Sequence, residues 1–253
     1  MTGGPLKSLK WYRSLATKKG RLEAGAFAVE GDKAIRQIIS AHPESIVEIL
    51  TIDTPPSIYH DYPVRSLTES QFNSICRTKT PQGILAVVRI PADIYTSSLP
   101  SHIGQKVLLM EDIQDPGNVG TLVRTAAAFD FSGVIMTESC ADPFAPKCIQ
   151  ATAGAVLSLW IRRTADYLKL IRSLQDLDYK LIAAEVKGKE QPFVLFHHDK
   201  ILLALGNEAA GLSATVLEQA DYRVKIPIMP RKAESLNVAA CGAILMYLSS
   251  ENP

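Results

Sequence analysis

Hydrophobic and polar positions follow two rhythms along this chain, and the change falls near residue 95. In the first stretch Phe27 to Glu30 has the makeup of a short strand, and Asp32 to Ser40 places Ala34, Ile35, Ile38 and Ile39 at helical spacing. Ile46 to Thr51 and Gly83 to Ile90 are rich in Ile, Leu and Val and predict strands. Between them Thr68 to Ile75 predicts a short helix with a capping residue at its start. Pro, Ser and Gly then gather from Pro91 to Gln105. The pattern predicts a small α/β domain over 1–95, a linker over 96–105 and a larger domain over 106–253.

The second stretch is more regular. Strands are predicted at Lys106–Met110, Gly133–Met136, Lys180–Ala184, Ile201–Leu205 and Tyr222–Ile226, with helices at Val119–Phe129, Pro146–Val156, Tyr167–Leu174 and Leu236–Leu248. Apolar strands alternating with helices predict an α/β fold, a parallel sheet covered on both faces. In such a sheet the ligand crevice lies beyond the carboxyl ends of the strands. The residues just past each strand are therefore the candidates for chemistry.

Composition removes several classes. Of 253 residues, 47% are hydrophobic and 21% charged, which excludes a disordered or fibrous chain. The longest apolar run, Val238 to Leu248, is too short to span roughly 30 Å of hydrocarbon and reads as a buried helix, so no membrane partner is expected. Met1 to Pro5 lacks an apolar signal core, which points to a cytoplasmic protein. Cys76, Cys140, Cys148 and Cys241 lie far apart with no C-x-x-C pair, and the adjacent His197 and His198 lack companion ligands and suit a solvent-facing loop. Reduced thiols and no metal are expected. The net charge of +1 hides an asymmetry, because residues 1–95 hold twelve Lys and Arg against nine Asp and Glu, and the rest fifteen against seventeen. Six basic side chains and no acid occupy the first 21 residues, with Trp11 and Tyr12 among them. That mixture suits phosphate contact and base stacking, and equally a solvated terminus.

Three polar segments follow predicted strands. Glu111-Asp112-Ile113-Gln114-Asp115-Pro116-Gly117-Asn118 leads into a helix carrying Arg124. Gly206-Asn207-Glu208 runs on to Gly211-Leu212-Ser213. Ile226-Pro227-Ile228 runs through Pro230-Arg231-Lys232 to Ser235-Leu236-Asn237. No dinucleotide glycine fingerprint, P-loop or G-x-S-x-G elbow occurs. Taken singly, each residue has a plain alternative: Asn118 or Ser235 as a helix cap, Arg124 as a surface side chain, Glu208 as a solvated loop acid. Their coincidence at strand ends favours a shared site.

At these residues the chain resembles the SpoU (TrmH-type) RNA ribose 2′-O-methyltransferases of the SPOUT superfamily. The first family motif resembles Asn118 with Arg124, the second Gly206-Asn207-Glu208 through Ser213, and the third Ile226-Pro227 with Ser235-Leu236-Asn237-Val238. Lys18-Lys19-Gly20-Arg21, Phe27 to Gly31 and Thr80 to Ala86 resemble the small substrate-binding domain that precedes the catalytic one in the ribosomal RNA branch. The chain departs from the pattern at Pro230, where the family has glycine, and is one residue longer before Ser235.

The resemblance implies a C-terminal trefoil knot, a homodimer, S-adenosylmethionine as cofactor and 2′-O-methylation of ribosomal RNA, that of the large subunit first. It assigns catalysis to Asn118, Arg124, Glu208, Ser235 and Asn237, and cofactor binding to Leu205, Gly206, Ile226, Ile228 and Leu236. Arg124 would act as base or, more easily for a guanidinium, as a bidentate clamp on a neighbouring phosphate. A transfer RNA ribose methylase, an antibiotic-resistance methylase of the same architecture and a catalytically silent, RNA-binding assembly factor remain alternatives.

Overall fold

The computed structural model describes residues 7–76, 78, 80–229 and 231–250; Met1 to Pro5 and Pro230 lie outside them. The chain divides into two compact units, residues 7–92 with 142–157, and residues 93–141 with 158–250.

The first unit opens with two short helices, α1 (Leu9–Ser14) and α2 (Lys18–Ala24). Ser8 and Thr17 cap them by accepting from the amides of Trp11 and Gly20. The basic opening segment is thus folded, and Tyr12 and Leu15 are in the core. Next come β1 (Ala26–Glu30), α3 (Asp32–Ala41), β2 (Ile46–Thr51), β3 (Val64–Ser66), α4 (Glu69–Ile75) and β4 (Ile84–Arg89). The sheet order is β1-β4-β2-β3; β4 is antiparallel to both neighbours and β2 is parallel to β3. Thr68 and Gln71 cap α4 reciprocally, as the sequence suggested for that boundary. Residues 142–157 join this unit, Phe144 packing its ring 4.7 Å from that of Phe27.

The second unit is a six-stranded, wholly parallel sheet with order β10-β8-β9-β5-β6-β7. Its strands are β5 (Lys106–Met110), β6 (Gly133–Met136), β7 (Trp160–Arg163), β8 (Lys180–Ala184), β9 (Ile201–Leu205) and β10 (Tyr222–Val224). The helices in this half of the chain are α5 (Pro116–Ala128), α6 (Pro146–Thr152, packed in the first unit), α7 (Tyr167–Gln175), α8 (Ala214–Gln219) and α9 (Val238–Ser250). Val107, Leu109, Leu181, Leu202 and Ala204 form one buried layer with Leu170, Ile171, Leu174 and Val216 of α7 and α8. On α9, Gly242 permits close approach, since a Cβ there would stand 2.4 Å from Leu122 of α5 and 2.8 Å from Leu205 of β9.

Several elements differ from the sequence reading. α6 stops at Thr152 because Ala153 and Gly154 take left-handed backbone angles. β10 ends at Val224, two residues early, and α9 begins at Val238 and runs to Ser250. β7 was not foreseen. Its Arg162 and Arg163 break an apolar run, yet both are buried, their guanidinium groups donating to the carbonyls of Ser98, Ile161, Glu138 and Cys140. His198 is half-buried and stacks on Tyr222, so only His197 faces solvent.

Candidate active site

The chain leaves β5 toward β6 and β7 on one side, while β9 lies on β5's other flank beside β8 and β10. Adjacent parallel strands whose connections diverge open a crevice at their carboxyl ends. The N-terminus of α5 enters this region from β5, and the 206–213 loop enters it from β9.

α5 starts at Pro116, and its cap is Asp115, whose Oδ1 accepts from the amide of Asn118 at 2.9 Å. The capping role considered for Asn118 is therefore taken, and its side chain is free to bridge. Its Nδ2 donates to Glu208 Oε1 at 2.8 Å, and its Oδ1 accepts from Asn237 Nδ2 at 3.1 Å. Asn237 is also the cap of α9, its Oδ1 accepting from the amides of Ala239 and Ala240 at 2.9 and 3.3 Å. The cap considered for Ser235 thus lies two residues later. Three side chains from three strand-end segments meet in one hydrogen-bonded row.

Two of the expected residues stand apart from that row. Arg124 lies on the exposed face of α5 beside Thr121 and makes no hydrogen bond or ion pair with the described residues. Ser235 is exposed on the segment before α9 and likewise makes none. The five backbone positions expected to hold a cofactor divide similarly. Leu205 is buried at the end of β9, Gly206, Ile226 and Ile228 are half-buried, and Leu236 is exposed. Among the described residues, the amides and carbonyls of Ile226, Ile228 and Leu236 have no hydrogen-bond partner. Unpaired main-chain donors and acceptors at strand ends demand a partner from water or ligand.

Gly206 is required for a reason internal to its loop. A Cβ there would meet the carbonyl carbon of Gly211 at 2.3 Å and the amide of Leu212 at 2.4 Å. The loop closes on itself through Asn207 and Gly211, which exchange amide-to-carbonyl bonds of 3.1 and 2.9 Å. The Asn207 side chain ties it to β5's extension, donating to Asp112 O at 2.8 Å while accepting from the amides of Ala209 and Ala210.

Directly after β5 stands Glu111, a residue to which the sequence reading assigned no role. It is only 3% exposed. Its carboxylate accepts from the Ser213 amide, the Ser213 hydroxyl and the Tyr167 hydroxyl, each at 2.7 Å. Burial, and then the hydrogen bond to Glu111, pushes the Tyr167 hydroxyl up to about 12. Glu111 thus pins the far end of the Glu208 loop to β5. The only signal in the sequence was an acid directly after an apolar strand, where a buried carboxylate is uncommon. Among the described residues no three His, Cys, Asp or Glu gather as a metal site.

The chain is similar to known proteins along most of its length. Residues 105–247 match the SpoU rRNA Methylase family, and residues 7–86 match the MRM3-like substrate binding domain. The chain is 30% identical, over 95% of its own length and 95% of the relative's, to the 23S rRNA (guanosine(2553)-2′-O)-methyltransferase RlmP of Bacillus subtilis. It superposes with TM-score 0.80 and 25% identity on an AdoMet-bound rRNA methyltransferase from Sinorhizobium meliloti, covering 95% of this chain and 93% of that one. It shares its fold, at TM-score 0.83 and 22% identity over 97% of each chain, with the SpoU methyltransferase AviRb from Streptomyces viridochromogenes. The polar row at the carboxyl ends of β5 and β9 is therefore carried by a chain that belongs to the SpoU rRNA methylase family.

Proposed function

We propose that the protein transfers the methyl group of S-adenosylmethionine to a ribose 2′-hydroxyl of ribosomal RNA, that of the large subunit, through the row Asn118–Glu208–Asn237 with Arg124 and Ser235. The observation that carries the assignment is Asn118 bridging two side chains that lie 90 and 119 residues away in sequence. Three unrelated loops converge on one polar point, which a set of independent caps would not do.

The donor set fits the cofactor. Open amides and carbonyls at Ile226, Ile228 and Leu236 suit an adenine edge and an amino-acid head group, and the half-buried Ile side chains suit the flat face of a base. Bound there, S-adenosylmethionine supplies a methyl on a positively charged sulfur. The chain itself must then hold a ribose and accommodate a proton. Arg124, with its five N–H donors uncommitted to described residues, clamps the phosphate next to the target ribose. Glu208, oriented by Asn118, is placed to orient the hydroxyl. The first unit serves as the RNA-holding domain, consistent with the basic opening segment that it folds.

The protein acts as a cytoplasmic homodimer in this reading. α9 presents Ala240, Ile244 and Tyr247 at helical spacing on its exposed side, an apolar stripe of the kind a second copy covers. Sedimentation at the mass of one chain would remove that part. The trefoil threading belongs to the same proposal and draws on α9 packing against both α5 and the turn at Pro192–His197. No helix among the described residues is long and apolar enough to cross a membrane.

The deciding experiment maps ribose methylation across cellular RNA with the protein present, absent or replaced by Arg124→Ala. One large-subunit ribose should lose its methyl in the last two cases. In vitro, Arg124→Ala should lower turnover by about a thousandfold, with S-adenosylmethionine affinity kept. A transfer RNA ribose as the sole lost site would move the substrate class, and no lost site with no cofactor binding would leave an assembly factor.

A further inference from the structure

The first unit contains a cleft of about 770 Å³ that methyl transfer leaves unused. Its walls are apolar, formed by Leu15, Ala28, Ile75, Leu85 and, from α6, Ile149. Glu30, the last residue of β1, stands in this wall. Its carboxylate is held by the 76–82 segment, since Thr78 Oγ1 lies 2.7 and 2.8 Å from its two oxygens, the Gln82 amide donates to Oε1 at 3.1 Å and the Cys76 thiol hydrogen-bonds it as well. One hydroxyl proton serves one oxygen at a time, and a carboxylate offers about four acceptor positions. The loop therefore orients Glu30 without exhausting it. Lys33 and Lys147 line the same cleft, so its polar border carries ammonium groups as well as one carboxylate.

An apolar cleft with an oriented acceptor on its wall and cations along its lining offers what a nucleotide presents. Its volume lies within the usual range of about 300–1,000 Å³ for ligand pockets. The acceptor also selects among bases. Guanine presents two adjacent N–H donors on its pairing edge, whereas uracil flanks its single N–H with two carbonyl oxygens that a carboxylate repels. Adenine and cytosine offer an amine beside an unprotonated ring nitrogen and fall between.

We propose that this cleft receives one unstacked nucleotide of the substrate RNA, guanine by preference, with the base edge donating to Glu30 and its phosphates beside Lys33 and Lys147. The assignment rests on RNA being the substrate and adds to it a base-reading subsite away from the methyl-transfer residues. Single-stranded RNA is read in this way, by splayed bases whose edges are hydrogen-bonded in pockets.

The test uses the full chain with guanosine, adenosine, cytidine and uridine 5′-monophosphates, each followed by ligand-observed NMR to saturation. Guanosine monophosphate should bind at least about tenfold more tightly than uridine monophosphate, and Glu30→Gln should erase that preference. Lys33→Ala, an exposed change that leaves the Glu30 contacts alone, should weaken all four nucleotides together. In methyl-transfer kinetics Glu30→Gln should raise the KM for RNA several-fold more than it lowers kcat. Absence of saturable binding, equal affinity for the four nucleotides, or guanosine preference surviving in Glu30→Gln overturns the proposal. The two assignments fail separately: nucleotide selectivity in a protein that methylates no RNA sinks the methyl-transfer reading alone, and methylation without selectivity sinks the cleft alone.

Discussion

The two units build recognition surfaces by opposite means, and a carboxylate in each shows how. Glu111, at the strand-end site of the six-stranded sheet, is buried and accepts three hydrogen bonds that tie β5, the 206–213 loop and α7 together. Glu30, in the four-stranded unit, is half-buried and is held by its own neighbouring loop. The first serves geometry, with side chains such as Glu208 and Asn237 left exposed. The second is itself part of a preformed cavity wall. A parallel sheet brings distant loops to one point and must lock them in place, whereas the cleft's walls, α6 among them, are residues already packed into the core of their unit. The strand-end site should accordingly be the more fragile of the two.

Glycine substitutions test that contrast most severely. At Gly206 the obstacle to a Cβ is the backbone of the Gly211–Leu212 peptide, at 2.3 and 2.4 Å, so the loop must open. Gly206→Ala should weaken S-adenosylmethionine binding and lower methyl-transfer turnover by about a hundredfold, because displacement of a site loop by an ångström costs that much in rate. At Gly25, the left-handed C-cap of α2, a Cβ meets nothing within 4 Å. Gly25→Ala should cost only about 1–2 kcal/mol of stability, with cofactor affinity unchanged. Calorimetry and thermal melts on the two variants check this, and equal cofactor loss in both would refute the contrast.

The carboxylates give a smaller effect. Glu111→Ala strands two hydroxyls and an amide in a buried setting, and should destabilise the protein by about 3 kcal/mol. Glu30→Ala leaves partly solvated donors that water can serve, and should cost about 1 kcal/mol. Denaturant titration reads both. Were the order reversed, the strand-end site would not depend on its buried anchor.

Much of this contrast was legible in the chain. β5, β8 and β9 are unbroken apolar runs, so their ends, and the polar residues past them, could be marked directly. Which polar residue caps and which reaches out was not legible, because Asp115 and Asn118, like Ser235 and Asn237, are equally good caps locally, and only the converging loops decide. Arg162 and Arg163 concealed β7, since their burial relies on carbonyls of segments distant in sequence. Arg21 concealed α2 in the same manner: it looked like surface charge, yet it is buried against Asp142 and the Leu15 carbonyl. The side of the molecule on which residues 142–157 pack is likewise a tertiary matter, as α6 reads no differently from a helix over the parallel sheet.

Alkaline titration gives the smallest and most even-handed comparison, because each unit packs a tyrosine hydroxyl against a carboxylate. Tyr12 donates to Glu48 at 2.6 Å, and burial followed by that bond pushes its hydroxyl up to about 12, although Arg65 pulls the other way. Tyr167, against Glu111, is also raised to about 12. An unfolded tyrosine ionises near 10. The folded protein therefore retains both protons where the unfolded chain has lost them, and the stability these groups contribute is complete below pH 10 and disappears as pH rises toward 12. Cys241 and Cys76, raised to about 11 and about 12 chiefly by burial, add a similar decline that begins lower, near the ordinary thiol value. Melting temperature should thus fall steeply between pH 10 and 12. Tyr12→Phe and Tyr167→Phe should each flatten one share of that fall while changing little at pH 7 beyond the loss of one hydrogen bond, about 1 kcal/mol. Because both hydroxyls are raised to about 12, the two variants should flatten the curve to a similar extent. Native tyrosinate absorbance that appears in full by pH 10 would show that neither hydroxyl is held by its unit.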